Sequence, residues 1–328
     1  MPVATERPAR GLAERTVTVV VPARNEAAGI ADLVAEVRTQ NAPGWTAEVV
    51  VVDDGSSDAT AARARAAGAR VLRMEREGGQ GNPAAARNLG ARESSGDPIV
   101  FLDSDCVPAE GWLRAILDAH ERGETIVGGA LDLPPGLPAS ARCDYYCGWY
   151  LIHSGRPAGY VPHHPPPNLS VRREAFFSTS GFTEEPPFSY TNEERRWEAE
   201  LRTAGHRIWF EPRARVLHHN RPGFLNLLKR NYRWAYTAIE SKSRTRTARW
   251  AWLYRWPWLT LAATPALALV HTAYITGCWV RAGRWEPVLM LPGVLASRAA
   301  YATGMAVGGW RWLRGRGSRA PRLAPRWQ

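Results

Sequence analysis

Residues 98–105 read PIVFLDSD, a short apolar run that ends in two aspartates separated by one serine. Two earlier segments have the same design, since residues 16–26 read TVTVVVPARNE and residues 49–58 read VVVVDDGSSD. Runs of β-branched and apolar residues of this length predict strands that are buried on both faces of a sheet. Each predicted strand ends in a set of polar residues, and these sets indicate where a ligand would bind.

Helical patterns separate the predicted strands. Residues 25–40 carry apolar side chains at helical spacing, residues 58–67 are rich in alanine and arginine, and residues 84–93 follow a glycine-rich loop. Alternating strands and helices with short connections predict an α/β fold with a mostly parallel sheet flanked by helices. Ligands of such sheets bind at the carboxyl ends of the strands. We therefore expect the three polar sets to converge on one crevice, covered by loops and short strands from residues 131–167.

The acidic residues at the strand ends suggest a metal and a nucleotide. Asp103 and Asp105 can both reach a hard divalent cation, which prefers oxygen ligands and would neutralise charge on a departing diphosphate. Aspartate also favours turns for local hydrogen-bonding reasons, so this pair alone is a weak signal. The second pair, Asp53 and Asp54, strengthens it. Asp54 could accept from a nucleotide base or a ribose hydroxyl, while Asp58 would cap the next helix.

Later polar residues have two interpretations each. Glu193 and Glu194 begin a predicted helix at residues 192–204, where the helix dipole favours acids whatever the function, although one of them could act as a general base. His218 follows a short apolar segment and could join the carboxylates on a metal.

The glycine loop at residues 78–83 matches neither the dinucleotide-binding pattern nor the P-loop pattern, which disfavours dehydrogenases and P-loop NTPases.

In their order along the chain, these segments resemble the family 2 glycosyltransferases, which are inverting enzymes with the GT-A fold. The resemblance covers about residues 16–240. It implies a nucleotide-sugar-binding half at 16–130 and an acceptor-side half at 131–240, after an N-terminal extension at 1–15. The matching segments are VTVVVPARNEAAGI (17–30), VVVDDGSSD (50–58), AAARNLGA (84–91), PIVFLDSDCVPAEGWL (98–113), PNLSVRREAFFSTSGFTEE (167–185) and NEERRWEAELRTAGHRIWFEPRARVLHH (192–219).

The resemblance implies roles for individual residues on the donor side. Asp54 would contact the nucleotide base, Asp53 would support it, and Arg87 would lie close to the base or a phosphate. Asp103 and Asp105 match the family's D-x-D motif, in which Asp103 lies at the nucleotide sugar and Asp105 is the direct ligand of Mn2+ or Mg2+. His218 would supplement the metal coordination. The remaining residues of the nucleotide pocket would be Pro22, Arg24, Asn25 and Glu26.

On the acceptor side, the family's acidic pair falls on Glu193 and Glu194 and makes Glu194 the candidate catalytic base, with Glu193 as a substitute. The family usually has Glu-Asp there. Its Q-x-x-R-W motif is present only as RNYRW at residues 230–234, which favours transfer of a single sugar over processive synthesis. The implied mechanism is one in-line displacement by an acceptor hydroxyl. A non-catalytic nucleotide-sugar-binding or scaffold protein that retains the fold is the alternative.

Positive charge is concentrated at the C-terminal end. The 328-residue chain has a net charge of +11, yet from Ser241 onward 14 basic residues face one acid, and the first 240 residues carry −2. Nine of the 15 tryptophans lie in the same stretch, between apolar runs. A nucleic-acid-binding protein would need the charge on its globular part, so we expect no nucleic acid partner. The pattern favours contact with a membrane.

Residues 241–328 are therefore predicted to be a membrane-associated helical region that forms a hydrophobic hairpin. Residues 256–280 and 287–310 are the candidate spans, although Arg298 would cost about 2.5–3.5 kcal/mol inside a bilayer and the second segment could lie flat in the interface. Basic clusters at both ends place the enzyme on the cytoplasmic face of the inner or plasma membrane, where the acceptor could be lipid-linked. A soluble helical extension that packs on the domain is the alternative.

Overall fold

The computed structural model describes residues 15–74, 81–185, 188, 191–245 and 251–315. Within these residues the strands form one mixed sheet, in which β7 pairs with β9 beside the main path β3-β2-β1-β4-β8-β6-β9-β5. The strands are β1 (Arg15–Ala23), β2 (Trp45–Asp53), β3 (Arg70–Arg73), β4 (Ile99–Leu102), β5 (Cys106–Pro108), β6 (Ile126–Asp132), β7 (Gly159–Val161), β8 (Asn168–Val171) and β9 (Ile208–His218).

The first half of the sheet is parallel, as the sequence predicts. β1 lies between β2 and β4, with both pairings parallel, and β3 adds in parallel to β2. The carboxyl ends of β1, β2 and β4 therefore meet at one edge. Helices cover the sheet, so the predicted α/β architecture is confirmed. These helices are α1 (Ile30–Arg38), α2 (Thr60–Ala66), α3 (Pro83–Arg92) and α4 (Trp112–Glu121).

The second half of the sheet mixes strand directions. β8 runs antiparallel to both β4 and β6, whereas β6 and β9 are parallel. Residues 131–167, expected as loops and short strands, contain the short strand β7 but also a ten-residue helix, α5 (Ala139–Gly148). Two further helices complete this half, namely α6 (Arg173–Phe177) and α7 (Glu194–Thr203).

The C-terminal region is helical and packs on the domain. Trp279 is buried and donates from its indole nitrogen to the carbonyl oxygen of Tyr146 at 2.9 Å, and Tyr146 donates to Glu286 at 2.6 Å. These contacts join the region to α5. Its elements are α8 (Phe224–Tyr236), α9 (Ala238–Thr245), a 3-10 turn (Ala251–Arg255), α10 (Pro257–Ala262), α11 (Thr264–Arg281), α12 (Glu286–Leu289) and α13 (Leu291–Arg314).

The two predicted membrane spans are corrected by the structure. None of the described helices combines the length and the apolar character needed to cross a bilayer. The segment 256–280 is divided at Ala263 into α10 and α11, each of which has a proline in its first turn. In the segment 287–310, Arg298 is only 3% exposed and donates to the side chains of Asn231 and Ser297. The charged residue that made the second span costly therefore faces the domain.

Glycines let α13 approach α8 closely. A Cβ atom at Gly304 or Gly308 would collide with the carbonyl oxygen of Tyr232 or Tyr236, respectively. Small residues four positions apart lie on one helix face and allow two backbones to touch. The two glycines therefore fix how the C-terminal helices dock.

Replacing Gly308 with alanine should lower the thermal unfolding temperature, because the added methyl group has no room and overpacking costs about 1–3 kcal/mol. The matched control is Gly277→Ala in α11, where only the Arg281 guanidinium lies near the new methyl group, at 3.9 Å. That control should gain up to about 1 kcal/mol, because alanine is the better helix former. Unfolding curves that shift in the same direction for both variants would contradict the glycine interface.

Candidate active site

The carboxyl ends of β1, β2 and β4 open onto one cavity of about 650 Å3. The acceptor-side half supplies its opposite wall through α7 and the end of β9. The expected convergence of the polar sets is therefore observed. The predicted site residues that line this cavity are Pro22, Arg24, Glu26, Asp54, Arg87, Asp103, Asp105, Glu193, Glu194 and His218.

Two predicted nucleotide-pocket residues, Asn25 and Asp53, support the site from behind rather than lining the cavity. The side-chain oxygen of Asn25 accepts from the Ser57 amide at 2.9 Å, and its backbone has φ 55°, a conformation that asparagine tolerates. Asp53 accepts from the Ser56 amide, also at 2.9 Å. Both residues therefore hold the loop between β2 and α2.

At the donor end, Asp54 is buried and accepts from the backbone amide of Asn82. Asn82 caps α3, since its side-chain oxygen accepts from the Ala85 amide at 2.9 Å. Gly81 lies so close that a Cβ atom there would collide with Asp54 and come within 2.9 Å of Arg24 Cδ. The close approach explains why a glycine precedes the cap. Residues 78–80 of the glycine loop lie outside the described residues.

Arg87 joins the two halves of the site. Its guanidinium donates to Asp103 at 2.5 Å and to Glu193 at 2.9 Å, and the side chain is 3% exposed. Burial lowers the pKa of Arg87, but Asp103 and Glu193 outweigh burial and hold it above its ordinary value. The guanidinium is therefore charged and occupied by two carboxylates. Glu193 is held by this ion pair, which leaves Glu194 as the acid open to an acceptor.

Asp105 and His218 form the candidate metal centre. One carboxylate oxygen of Asp105 lies 3.6 Å from Nε2 of His218. On the far side of the ring, Nδ1 lies 2.8 Å from the side-chain oxygen of Asn220, whose own amide donates to Asp144 at 3.0 Å. Because that oxygen can only accept, Nδ1 donates to it, and Nε2 is directed at Asp105. This is how a histidine is oriented as a metal ligand.

A third group near this pair, Cys106, is a poor ligand. Its sulfur lies within 4.8 Å of the ligand atoms of Asp105 and His218. Burial, together with Asp105 and Asp103, raises the pKa of the Cys106 thiol well above its ordinary value. Mn2+ and Mg2+ are hard cations, which prefer carboxylate, carbonyl and water oxygens to a soft thiolate. The ligands that fit Mn2+ or Mg2+ are therefore Asp105 and His218. Asp103, which belongs to the same motif, is paired with Arg87.

Glu194 lines the cavity wall and is only 5% exposed. Burial, and then the charge of Glu193, raise its pKa to about 8. One carboxylate oxygen lies 3.4 Å from Nε of Arg195 and 3.6 Å from Nε2 of His163. His163 is held from its other side by Glu198 at 2.7 Å. A buried carboxyl whose pKa lies near 8 suits a general base at mildly alkaline pH.

Several residues that line the cavity were not predicted from the sequence. His163 lies in the segment that we expected to be loops and short strands, and the only signal was its place in the run HHPPP at residues 163–167. Arg195 directly follows the acidic pair but carries no motif. Lys242 and Arg298 lie in the region predicted for the membrane, although both line the cavity.

The fold and the site together define a class, the glycosyltransferases of GT-A type. The family model described as Glycosyl transferase family 2 matches residues 18–180. The glycosyltransferase AglE of Haloferax volcanii is 31% identical over 222 residues, which cover 66% of this chain and 71% of AglE. The chain belongs to the family 2 glycosyltransferases and is an enzyme of that kind.

Another relative and two solved structures extend the comparison. The pre-mycofactocin glycosyltransferase of Mycobacterium tuberculosis is 32% identical over 232 residues, and the chain spans 46% of its length. A mannosyltransferase from Pyrobaculum calidifontis, solved with GDP-Man and Mn2+, has a TM-score of 0.56 at 19% identity, with 92% of this chain and 88% of that one covered. Residues 1–349 of S. aureus TarS give 0.50 at 16% identity, with 92% of each chain covered. These likenesses show the shared fold.

Replacing Asp105 with asparagine should weaken Mn2+ binding at least about tenfold, because an anionic ligand is lost from a site with few donors. Titration of Mn2+ in the presence of a nucleoside diphosphate, followed by calorimetry or electron paramagnetic resonance, measures the change. The matched control is Asp118→Asn, since Asp118 pairs with Arg114 on the outside of α4. Equal Mn2+ affinity in the wild type and Asp105→Asn would remove the metal assignment.

Proposed function

We propose that the protein transfers one sugar from a nucleotide-sugar donor to an acceptor hydroxyl, with inversion at the anomeric carbon. The observation that supports this most is the position of Glu194, whose buried carboxyl lines the same cavity as Asp105 and His218. When bound by those two residues, Mn2+ or Mg2+ would supply positive charge to the departing diphosphate.

In this displacement the donor side and the acceptor side of the cavity have different roles. The acceptor oxygen forms a bond to the anomeric carbon while the bond from that carbon to the diphosphate oxygen breaks, and the diphosphate leaves with the electron pair. Glu194 takes the proton of the acceptor hydroxyl, since Glu193 is held by Arg87. A single displacement needs no covalent intermediate on a serine or cysteine. Glu194 is one methylene longer than the aspartate that the family usually has at this position.

We propose that the nucleotide binds at the donor end of the cavity and that its base contacts Asp54. The residues that line this pocket are Pro22, Arg24 and Glu26. The mannosyltransferase with the shared fold was solved with GDP-Man, so a nucleoside-diphosphate sugar is the donor class that we propose. In the shortened RNYRW motif, Arg230 and Trp234 line the cavity and Arg230 pairs with Asp144. Its missing glutamine favours a single transfer over processive synthesis, and the acceptor is proposed to be lipid-linked.

The rate of nucleotide release should rise about tenfold per pH unit at acidic to neutral pH and level off near pH 8. Below its pKa the Glu194 carboxyl is protonated and cannot accept the acceptor's proton, whereas above it the carboxylate predominates. Measuring nucleoside diphosphate release from a panel of nucleotide sugars, with Mn2+ or Mg2+ and alcohol acceptors, gives the profile.

The control is Glu194→Gln, which should still bind donor but lose transfer at every pH, because an amide cannot act as the base. Glu200→Gln, on the same helix and paired with Arg196 near the surface, should keep the wild-type profile. A flat profile, or a Glu194→Gln variant with normal transfer, would disprove the assignment. Donor binding by the wild type without turnover of any donor would contradict the proposed transfer.

We also propose that the protein lies on the cytoplasmic face of a membrane, held by side chains of its C-terminal helices. Large apolar residues there are exposed, up to 84% for Leu289. Arginines accompany them, and tryptophan with arginine is typical of surfaces that lie in a bilayer interface. The exposed tryptophans are Trp252, Trp256, Trp258, Trp285 and Trp310, and the exposed arginines include Arg255, Arg281, Arg284, Arg311 and Arg314.

The triple variant Trp256→Ser, Trp285→Ser and Leu289→Ser should bind vesicles of phosphatidylglycerol at least about tenfold more weakly than the wild type, because each substitution removes apolar area from the interface. Sedimentation with vesicles measures the bound fraction. The control Tyr160→Ser removes an aromatic residue that is exposed on β7. Wild-type protein that stays in the supernatant, or a triple variant that sediments equally well, would exclude this surface.

A further inference from the structure

The catalytic cavity continues past Glu194 into a space closed by the C-terminal helices. We call this space the inner chamber and define it by Lys242, Tyr254, His271, Arg298, Tyr301 and Met305, which come from α9, the 3-10 turn, α11 and α13. Arg195 lies at its boundary with the base, next to Glu194. Because Arg195 lies beside the candidate base and its charge acts on Lys242, the inner chamber lies on the acceptor side.

Two cations project into the inner chamber and form no ion pair with an aspartate or a glutamate of the described residues. The Lys242 ammonium donates to the hydroxyls of Tyr301 and Tyr254 at 3.2 and 3.4 Å. Burial lowers the pKa of Lys242, but the two tyrosine hydroxyls outweigh burial and keep it above its ordinary value, so the ammonium is charged. Arg298 donates to the neutral side chains of Asn231 and Ser297.

Two guanidinium groups retain unused donors. Arg195 is 9% exposed, and its Nη1 is buried with no hydrogen-bond partner in the described part of the chain. The Nε of Arg298 is buried and unpartnered in the same way. Buried guanidinium donors that make no hydrogen bond cost free energy, which a bound acceptor can recover.

Charges around the inner chamber are close enough to act on one another. The charge of Arg195 lowers the pKa of Lys242. Burial, and further the charges of Arg298 and Lys242, lower the pKa of His271, so its ring stays neutral. Burial raises the pKa of Tyr301, but Lys242, and further Arg298 and Arg195, hold it below its ordinary value. The acids that line the rest of the cavity, apart from Glu194, are turned to the donor end or to Arg87, and buried Asp144 is paired with Arg230. One thiol lies near Arg298: the hydrogen bond with Cys143, and further the charge of Arg298, outweigh burial and lower the pKa of Cys147 to about 6. The three cations Lys242, Arg298 and Arg195 outnumber this thiol, so the inner chamber carries net positive charge.

We propose that the inner chamber binds an anionic group of the acceptor, a phosphate or a carboxylate, through Lys242, Arg298 and Arg195. The same walls include Leu253, Ala302 and Met305, which fit an apolar body attached to that group. The acceptor class is thus an amphiphilic acid whose hydroxyl reaches Glu194 when the anion is held. This inference rests on the proposed transfer to a hydroxyl and adds the acceptor's chemistry to it.

Octyl phosphate is the probe, with octyl glucoside as the neutral compound of equal chain length. We expect octyl phosphate to bind the full chain at least about tenfold more tightly than octyl glucoside, because hydrogen bonds to charged groups add substantial affinity. Lys242→Met should remove most of this difference, and Lys242→Arg should restore it. The matched control is Lys229→Met, which removes an equal charge from the exposed face of α8.

Two further arms distinguish the source of the anion. Octyl phosphate that binds in solution in a Lys242-dependent way supports a soluble acceptor, and Lys242-dependent binding only to phosphatidate vesicles supports a lipid headgroup. Equal affinity of the wild type and Lys242→Met for both probes overturns the proposal. Nucleotide release without acceptor, and its response to Glu194→Gln, report on the proposed enzyme separately, so failure of the inner chamber leaves that result unchanged.

Discussion

The ion pair of Arg87 with Asp103 and Glu193 is the interaction on which the rest of the site depends. Asp103 follows a strand of the nucleotide-binding half, whereas Glu193 precedes a helix of the acceptor-side half, so one buried guanidinium fixes the distance between the two. Breaking a buried pair of this kind by removing one partner costs about 3–5 kcal/mol, because it leaves uncompensated charge. Burial raises the pKa of both acids of the pair, and Arg87 opposes this effect at Glu193. Burial, and then the charge of Glu193, raise the pKa of Glu194, so the ion pair holds one acid and leaves the other to act as the base.

A second set of contacts links the candidate metal centre to the C-terminal helices. Asn220 accepts from Nδ1 of His218 and donates to Asp144, which is paired with Arg230 of α8. The orientation of the metal-facing histidine therefore depends on the first C-terminal helix. That helix is in turn held by the glycines of α13. The C-terminal helices are thus part of the architecture of the active site, because they fix groups that fix its ligands.

Much of the donor side could be predicted because it rests on local pattern. A buried strand is recognised from its run of valines, and the carboxyl ends of parallel strands must meet, so Asp54, Asp103 and Asp105 line one cavity. The resemblance placed Arg87 in the donor pocket, but its two ion-pair partners could not be predicted, since they lie 16 and 106 residues away in sequence. The prediction of two membrane spans in the C-terminal region was wrong for another reason. Apolar composition does not tell which side chains pack on protein, and there Trp279 and Met305 are buried while Trp285 and Leu289 are exposed.

The division of side chains on α13 links acceptor binding to the outer surface. Arg298, Tyr301 and Met305 line the inner chamber, whereas Leu295 and Trp310 of the same helix are exposed. A helix that carries a cation towards the cavity and apolar side chains outward suits an amphiphilic acceptor, because the anionic group and the apolar body of such a molecule need different surroundings. Burying Arg298 beside Asn231 is costly for folding alone, since a well-packed apolar residue would serve packing better. Its presence is explained if the charge is used by a ligand, and this argument connects the helices to the reaction rather than to anchoring alone.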